Sequence, residues 1–164
     1  MLVIIVMGSP SDEPLAREIA CGLDGFGIPW EMRVASAHKV PSTVLDMLAA
    51  YEADPRSKVY ITIAGRSNAL SGMVDAQVSA PVIACPPYSG KFAGSDLFSS
   101  LRLPSGVAPA VILEPEGAAL LAAKMLGLVD PALEQRVQEM QEKQRQRLLE
   151  ADAAIQHAKK EVTL

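Results

Sequence analysis

Short, mostly apolar runs alternate along much of the chain with stretches in which apolar positions recur every three or four residues. The runs "LVIIVM" (2–7), "PWEMRV" (29–34), "KVYITIA" (58–64), "PVIAC" (81–85) and "AVIL" (110–113) read as strands. Helices lie between them. Near Glu13 to Gly25 the residues Leu15, Ile19 and Leu23 share one face, and glycines around Gly27 stop the helix. A second helix starts with Ser42 after Pro41 and runs to about Ala53, with Val44, Leu45, Leu48 and Ala49 facing inward. Apolar strands separated by amphipathic helices indicate a parallel sheet covered on both faces and joined by right-handed crossovers. The expected fold is an α/β/α three-layer sandwich around a doubly wound parallel sheet, flavodoxin- or Rossmann-like.

The tail has another pattern. From Asp130 to about Lys160 it reads as one long polar helix, with Asp130 as N-cap, Pro131 at the first position and apolar residues at Leu133, Val137, Met140, Leu148, Ala151 and Ile155. So narrow a stripe is not half of a core. The helix either reaches a neighbouring subunit, as a coiled-coil seam does, or lies along its own domain. His157, in this tail, reads as a solvated surface residue. The whole, residues 1–164, is expected to be one domain, with a core of about 1–128 and a helical arm of about 130–160.

Composition narrows the function classes. Ala, Val, Leu and Ile supply most of the hydrophobicity, which suits helix-on-sheet packing. The formal charge is −4 and no Lys/Arg-rich block is present, so there is no electrostatic footprint for nucleic acid. The opening "MLVIIVMGSPSD" has too short an apolar run for a signal peptide or a bilayer span, so a cytoplasmic protein without membrane contact is expected. Cys21 and Cys85 read as small buried hydrophobes rather than a disulfide, and no His/Cys/Glu pattern points to a metal. G-x-G-x-x-G is absent, which disfavours a dinucleotide, and no other cofactor is expected.

In a doubly wound sheet the ligand sits beyond the carboxyl ends of the strands. Three polar loops follow the first three strands and should converge there: "MGSPSD" (7–12), "ASAHK" (35–39) and "AGRSNALSG" (64–72). In the first, Gly8 allows a tight turn, Ser9 and Ser11 add hydroxyls, and the helix start offers amides to a phosphate. Asp12 either accepts from sugar hydroxyls or caps the helix. In the second, His38 can exchange a proton near neutral pH and Lys39 supplies fixed positive charge, the bland alternative being a histidine bonded to a turn. In the third, Gly65 and Gly72 bracket Arg66, Ser67, Asn68, Ala69 and Ser71, a guanidinium with neutral donors suited to an oxyanion. The alternative for Arg66 is a solvated turn. The loop "YSGKFAGSD" (88–96) is glycine-rich enough for Lys91 and Asp96 to close over a ligand, or they simply face water. These residues describe an enzyme for a small phosphorylated metabolite, with one histidine for proton transfer.

Those three loops, with "PVIACPP", "SSLRLPSG" (99–106) and "EPEGAALLAAKMLGL" (114–128), resemble in order the purine-biosynthetic carboxylases that act on 5-aminoimidazole ribonucleotide (AIR), over most of the chain. That family comprises two classes on one fold. One carboxylates AIR directly with carbon dioxide, without ATP or biotin, giving 4-carboxy-5-aminoimidazole ribonucleotide (CAIR). The other is a mutase that isomerises N5-carboxyaminoimidazole ribonucleotide to the same product. Mutases usually have Ser-Ala-His-Arg and a histidine in the third loop; here Lys39 follows His38, the third loop lacks histidine, and "SSLRLPSG" looks like the direct carboxylase. Ala69 departs from the glycine usual in animal members. The resemblance implies His38 as general acid/base, Ser9, Ser11 and Asp12 on the ribose phosphate, and Ser36, Ala37, Gly65 and Ser67 around the carbon dioxide, with Lys39 and Arg66 nearby. Gly8, Asn68, Ala69 and Ser71 complete the implied substrate site. It also implies a homo-oligomer, an octamer with sites between subunits, which suits a reaching tail. A catalytically dead nucleotide sensor or a structural scaffold are the rival classes, and neither needs His38.

Overall fold

The computed structural model describes residues 1–161 of the chain. Its strands, β1 (Leu2–Met7), β2 (Trp30–Val34), β3 (Lys58–Ile63), β4 (Val82–Ala84) and β5 (Ala110–Val111), form one sheet in the order β2-β1-β3-β4-β5, with every pairing parallel. This is the flavodoxin-like arrangement, in which the chain moves from β1 to one neighbour, β2, and then crosses back to the other, β3. Observed strands are shorter than the apolar runs by up to two residues at an end.

Alternation along β1 assigns the layers. Leu2, Ile4 and Val6 enter a cluster with Val44, Leu48, Tyr51 and Tyr60 beneath α2 (Pro41–Glu52) and α3 (Ala69–Asp75). Val3, Ile5 and Met7 enter the other cluster, with Ile19, Leu23 and Ala122 of α1 (Glu13–Gly25) and α5 (Pro115–Gly127). A short helix, α4 (Phe98–Leu101), lies between β4 and β5 in the chain, and α6 (Pro131–Glu161) follows α5.

Four expectations need correction. In α2 the buried stripe is Val44, Met47, Leu48 and Tyr51, while Leu45 and Ala49 are exposed. The inward set follows the i, i+3, i+4, i+7 rule from Val44, and the helix begins one residue earlier, with Pro41 at its first position. Strand β2 is an edge, not a buried strand: Glu31, Arg33 and Val34 are exposed. Its charges are tied to α2 by Tyr51, whose hydroxyl donates to Glu31 Oε2 at 2.6 Å while Arg33 Nη1 donates to that hydroxyl at 3.3 Å. Cys21 is exposed on the outer face of α1; only Cys85 is buried. Burial pushes the Cys85 thiol up to about 12, with Glu114 and Glu18 adding to the rise.

Helices α1 and α5 approach closely because small residues face each other. A Cβ built on Gly22 stands 2.7 Å from Ala119 Cβ. Gly22→Ala is expected to destabilise the fold by about 1–3 kcal/mol through overpacking, read as a lowered denaturation midpoint at unchanged m-value.

The first turns of the tail lie along their own domain. Asp130 Oδ1 accepts from the N–H groups of Ala132 and Leu133 at 3.0 Å each, a capped start. Leu133 and Val137 are buried in the cluster under α1 and α5, with Met140 partly so. From Glu142 to His157 every residue is exposed, including Leu148 and Ile155. At 31 residues α6 is about 46 Å long at the usual rise, so its far half projects beyond its own core.

Candidate active site

The switch point between β1 and β3 opens a cleft of about 560 Å³ at the carboxyl edge of the sheet. It is lined by Gly8, Ser9, Ser11 and Asp12 after β1, by Ser36, Ala37, His38 and Lys39 after β2, and by Ala64, Gly65, Arg66, Ser67 and Leu70 after β3. Pro87, Ser89 and Asp96 complete the wall from beyond β4. The three polar loops therefore meet, and most of the residues expected at the site line one cavity.

Asn68, Ala69 and Ser71 do not line it. Asn68 is 4% exposed and caps α3, its Oδ1 accepting from Ser71 N at 3.2 Å and its Nδ2 donating to Ser100 Oγ at 2.9 Å. Ser71 is fully buried within the first turn of α3, and Ala69 opens that helix on its exposed side. Their polar chemistry shapes the loop from behind.

The first loop differs from a backbone phosphate cradle. Ser9 N donates to Asp12 Oδ2 at 3.0 Å, Ser11 N to Ser9 Oγ at 3.3 Å, Gly8 N to Ile63 O at 2.8 Å and Asp12 N to Ser9 O at 3.1 Å. Pro10 and Pro14 have no N–H. The amides are thus engaged internally, and an anion here meets hydroxyls: Ser9 Oγ and Ser11 Oγ lie 2.8 Å apart. Gly8 is not among the residues with a left-handed φ, and a Cβ there makes only ordinary contacts, 3.4 Å from Ala64 Cβ and 3.5 Å from Ile63 O. Asp12 does cap this turn, with Ser9 forming a reciprocal pair, yet it also lines the cleft. Burial pushes its carboxyl up, against the opposing pull of the Ser9 N–H.

His38 and Lys39 are exposed on the turn that Ser36 holds, its carbonyl accepting from Lys39 N at 3.2 Å and Val40 N at 2.9 Å. No hydrogen bond among the described residues engages the His38 imidazole, so it is not a turn-bonded histidine. Neither Lys39 nor Arg66 is in an ion pair among the described residues. Two uncommitted cations and a free imidazole thus face one cavity.

Arg66 has φ 60°, left-handed for a residue with a side chain, which costs roughly 1–2 kcal/mol. Its N–H donates to Asp96 Oδ2 at 2.9 Å and its carbonyl accepts from Ser99 Oγ at 3.0 Å. Asp96 thus enters the cleft wall, as the glycine-rich loop permitted; Pro87 and Ser89 were missed. The signal was available in topology, because the loop after β4 also leaves the carboxyl end of a parallel strand.

Among the described residues no helix is long and apolar enough to cross a membrane, and no group of three or more His, Cys, Asp and Glu side chains could hold a metal ion.

Comparison with known proteins places the chain in a family. Residues 2–147 match the family model described as AIR carboxylase. A phosphoribosylaminoimidazole carboxylase of Treponema denticola is 52% identical over 154 residues, covering 94% of this chain and 97% of its own. One of Archaeoglobus fulgidus is 50% identical, covering 94% of this chain and 85% of its own. The crystal structure of Treponema denticola PurE superposes with a TM-score of 0.91 at 53% identity, covering 93% of this chain and 96% of that one. With the fold, the converging loops and these matches in agreement, the chain belongs to the AIR carboxylase family.

Proposed function

We propose that this protein carboxylates AIR with carbon dioxide to give CAIR, reversibly and without ATP, in de novo purine synthesis. The observation that carries the reading is the uncommitted His38 imidazole at the mouth of a cleft walled by hydroxyls and two free cations. AIR is an electron-rich enamine. Its ring carbon attacks carbon dioxide, a carbon–carbon bond forms, and the π pair of one C=O bond moves onto its oxygen to give a carboxylate. The ring carbon, now tetrahedral, still carries its hydrogen. His38 takes that proton, the C–H pair restores the aromatic ring, and the exposed imidazolium passes the proton to water. In reverse, His38 donates.

Carbon dioxide is apolar and weakly held, so positioning carries much of the rate, with Ser36, Ala37, Gly65 and Ser67 forming its pocket. Ser67, Lys39 and Arg66 stabilise the carboxylate as it develops. Ser9 and Ser11 hold the ribose phosphate through their hydroxyls, and Asp12 accepts from the ribose. Lys39 after His38 and the histidine-free third loop favour direct carboxylation over the mutase reaction, on the family resemblance.

The test is the reverse reaction. Purified protein given CAIR without ATP is expected to release carbon dioxide and form AIR. Accumulation of N5-carboxyaminoimidazole ribonucleotide instead makes it the mutase, and a ligand-dependent thermal shift without turnover makes it a sensor.

We also propose that it works as a homo-oligomer, an octamer by the family resemblance, with the far half of α6 contacting another copy. Leu148, Leu149 and Ile155, at 71%, 64% and 67% exposure, support this, since a monomer gains nothing from exposing them.

A further inference from the structure

Residues 65 to 67 form the wall of the cleft that the proposed reaction uses for carbon dioxide, with Asn68 buried behind it, yet little within this stretch holds its shape. Its local bonds are Ala69 N to Ser67 O at 3.0 Å and Ser71 N to Asn68 Oδ1 at 3.2 Å, neither of which touches Arg66. Every other hold comes from one segment about thirty residues later. Asp96 Oδ2 accepts the Arg66 N–H at 2.9 Å. Ser99 Oγ accepts the Asn68 N–H at 3.0 Å and donates within reach of Arg66 O, at 3.0 Å, and of its own segment's Asp96 O, at 2.7 Å. Ser100 Oγ, buried, accepts from Asn68 Nδ2 at 2.9 Å. The segment thus grips the N–H and C=O on either side of the one strained residue in the wall, Arg66, and the amide two positions on.

Gly65 shows how close the grip is. A Cβ there meets Pro87 Cγ at 3.2 Å and Asp96 Oδ2 at 3.6 Å, so the wall and the segment that grips it are in contact. Without the grip, Arg66 relaxes toward a negative φ. That rotates the peptides on both sides and turns Ser67 and the guanidinium away from the cavity.

We infer that Asp96 is a positioning residue for this reaction: its carboxylate, with the Ser99 hydroxyl, locks Arg66 in its left-handed conformation and so aims Arg66 and Ser67 into the cleft. The inference rests on the proposed reading of the site. Asp96 acts as a hydrogen-bond acceptor, and its charge is incidental. Its other oxygen, Oδ1, is buried without a hydrogen-bond partner, so no second contact accounts for the residue.

Asp96→Ala and Asp96→Asn separate these roles, because an Asn side-chain oxygen can still accept the Arg66 N–H while carrying no charge. With CAIR as substrate and wild type in parallel, Asp96→Ala is expected to lose about 10- to 100-fold in kcat, with the KM for the nucleotide changed less than threefold, since the first two loops are untouched. Asp96→Asn should return to within about threefold of wild type. Amide hydrogen exchange read at Arg66 is expected to accelerate in Asp96→Ala and stay slow in Asp96→Asn, whether or not the wild type turns CAIR over. A wild type inactive on CAIR therefore sinks the proposed reaction while the exchange data still judge the lock. Unchanged exchange at Arg66 in Asp96→Ala overturns the lock, and so does an Asp96→Asn as impaired as the alanine variant, because the charge is then what the site uses.

Discussion

His38→Asn lowers the rate of CAIR decarboxylation, and of AIR carboxylation, by about 10²- to 10⁴-fold while leaving nucleotide binding and thermal stability near wild type. The size follows from losing the group that moves the ring proton: asparagine preserves polarity and approximate shape but cannot accept or release a proton near neutral pH. Stability should move by no more than ~0.5 kcal/mol, because the imidazole is exposed and bonds to nothing in the fold. Binding survives because the phosphate and ribose contacts proposed for Ser9, Ser11 and Asp12 are on another loop. The measurement is steady-state turnover alongside a thermal shift with AIR. Turnover within a fewfold of wild type would falsify the acid/base role and leave His38 as a wall residue.

The second large effect lies far from the cleft. Leu133→Ala costs about 2–5 kcal/mol of stability, whereas Leu148→Ala, fifteen residues along the same helix, changes that of an isolated subunit by no more than ~0.5 kcal/mol. Leu133 has no exposed surface and sits among the side chains of α1 and α5, so truncation leaves a cavity; Leu148 is 71% exposed. Denaturant titration reads the first difference. The exposed half is expected to declare itself in assembly instead: Leu148→Ser with Ile155→Ser should reduce the sedimentation coefficient while the subunit stays folded. An unchanged coefficient would show that α6 does not join subunits. Cutting the chain after Leu128 is a poorer experiment, because it removes Leu133 and Val137 from the core together with the arm.

Much of this arrangement was legible in the residues. Uninterrupted apolar runs marked the strands because a parallel sheet buries both faces, and β1, with every residue buried, is the clearest instance. At β2 the strand is where the run placed it but is not buried on both faces: Glu31 and Arg33 mark an edge whose pairing partner lies on one side only. Helix α2 was rotated by about one position, since Leu45 and Met47 are equally apolar and only packing against Val6 and Tyr60 decides which turns inward.

At the site, Gly-, Ser- and His-containing loops after successive parallel strands identified the cleft from topology alone. What stayed hidden were relations across distance. That Asn68 and Ser71 serve the fold rather than the cavity follows from hydrogen bonds to α4 and within α3, and that Asp96 belongs to the wall follows from its bond to Arg66 thirty residues earlier. The occupied amides of the first loop depended on how Ser9 and Asp12 orient, which residue type alone does not fix.

Strand β1 has a consequence for synthesis. It precedes β2 and β3 in the chain but occupies an interior position of the sheet, so its hydrogen-bonding edges stay open until β2 and then β3, ending at Ile63, have been made. During that interval "LVIIVM" is an uncharged apolar hexapeptide, and the first acidic residue, Asp12, stands five positions beyond it. Until those neighbours pair with it, this fully buried strand is a segment through which the nascent chain can misassociate.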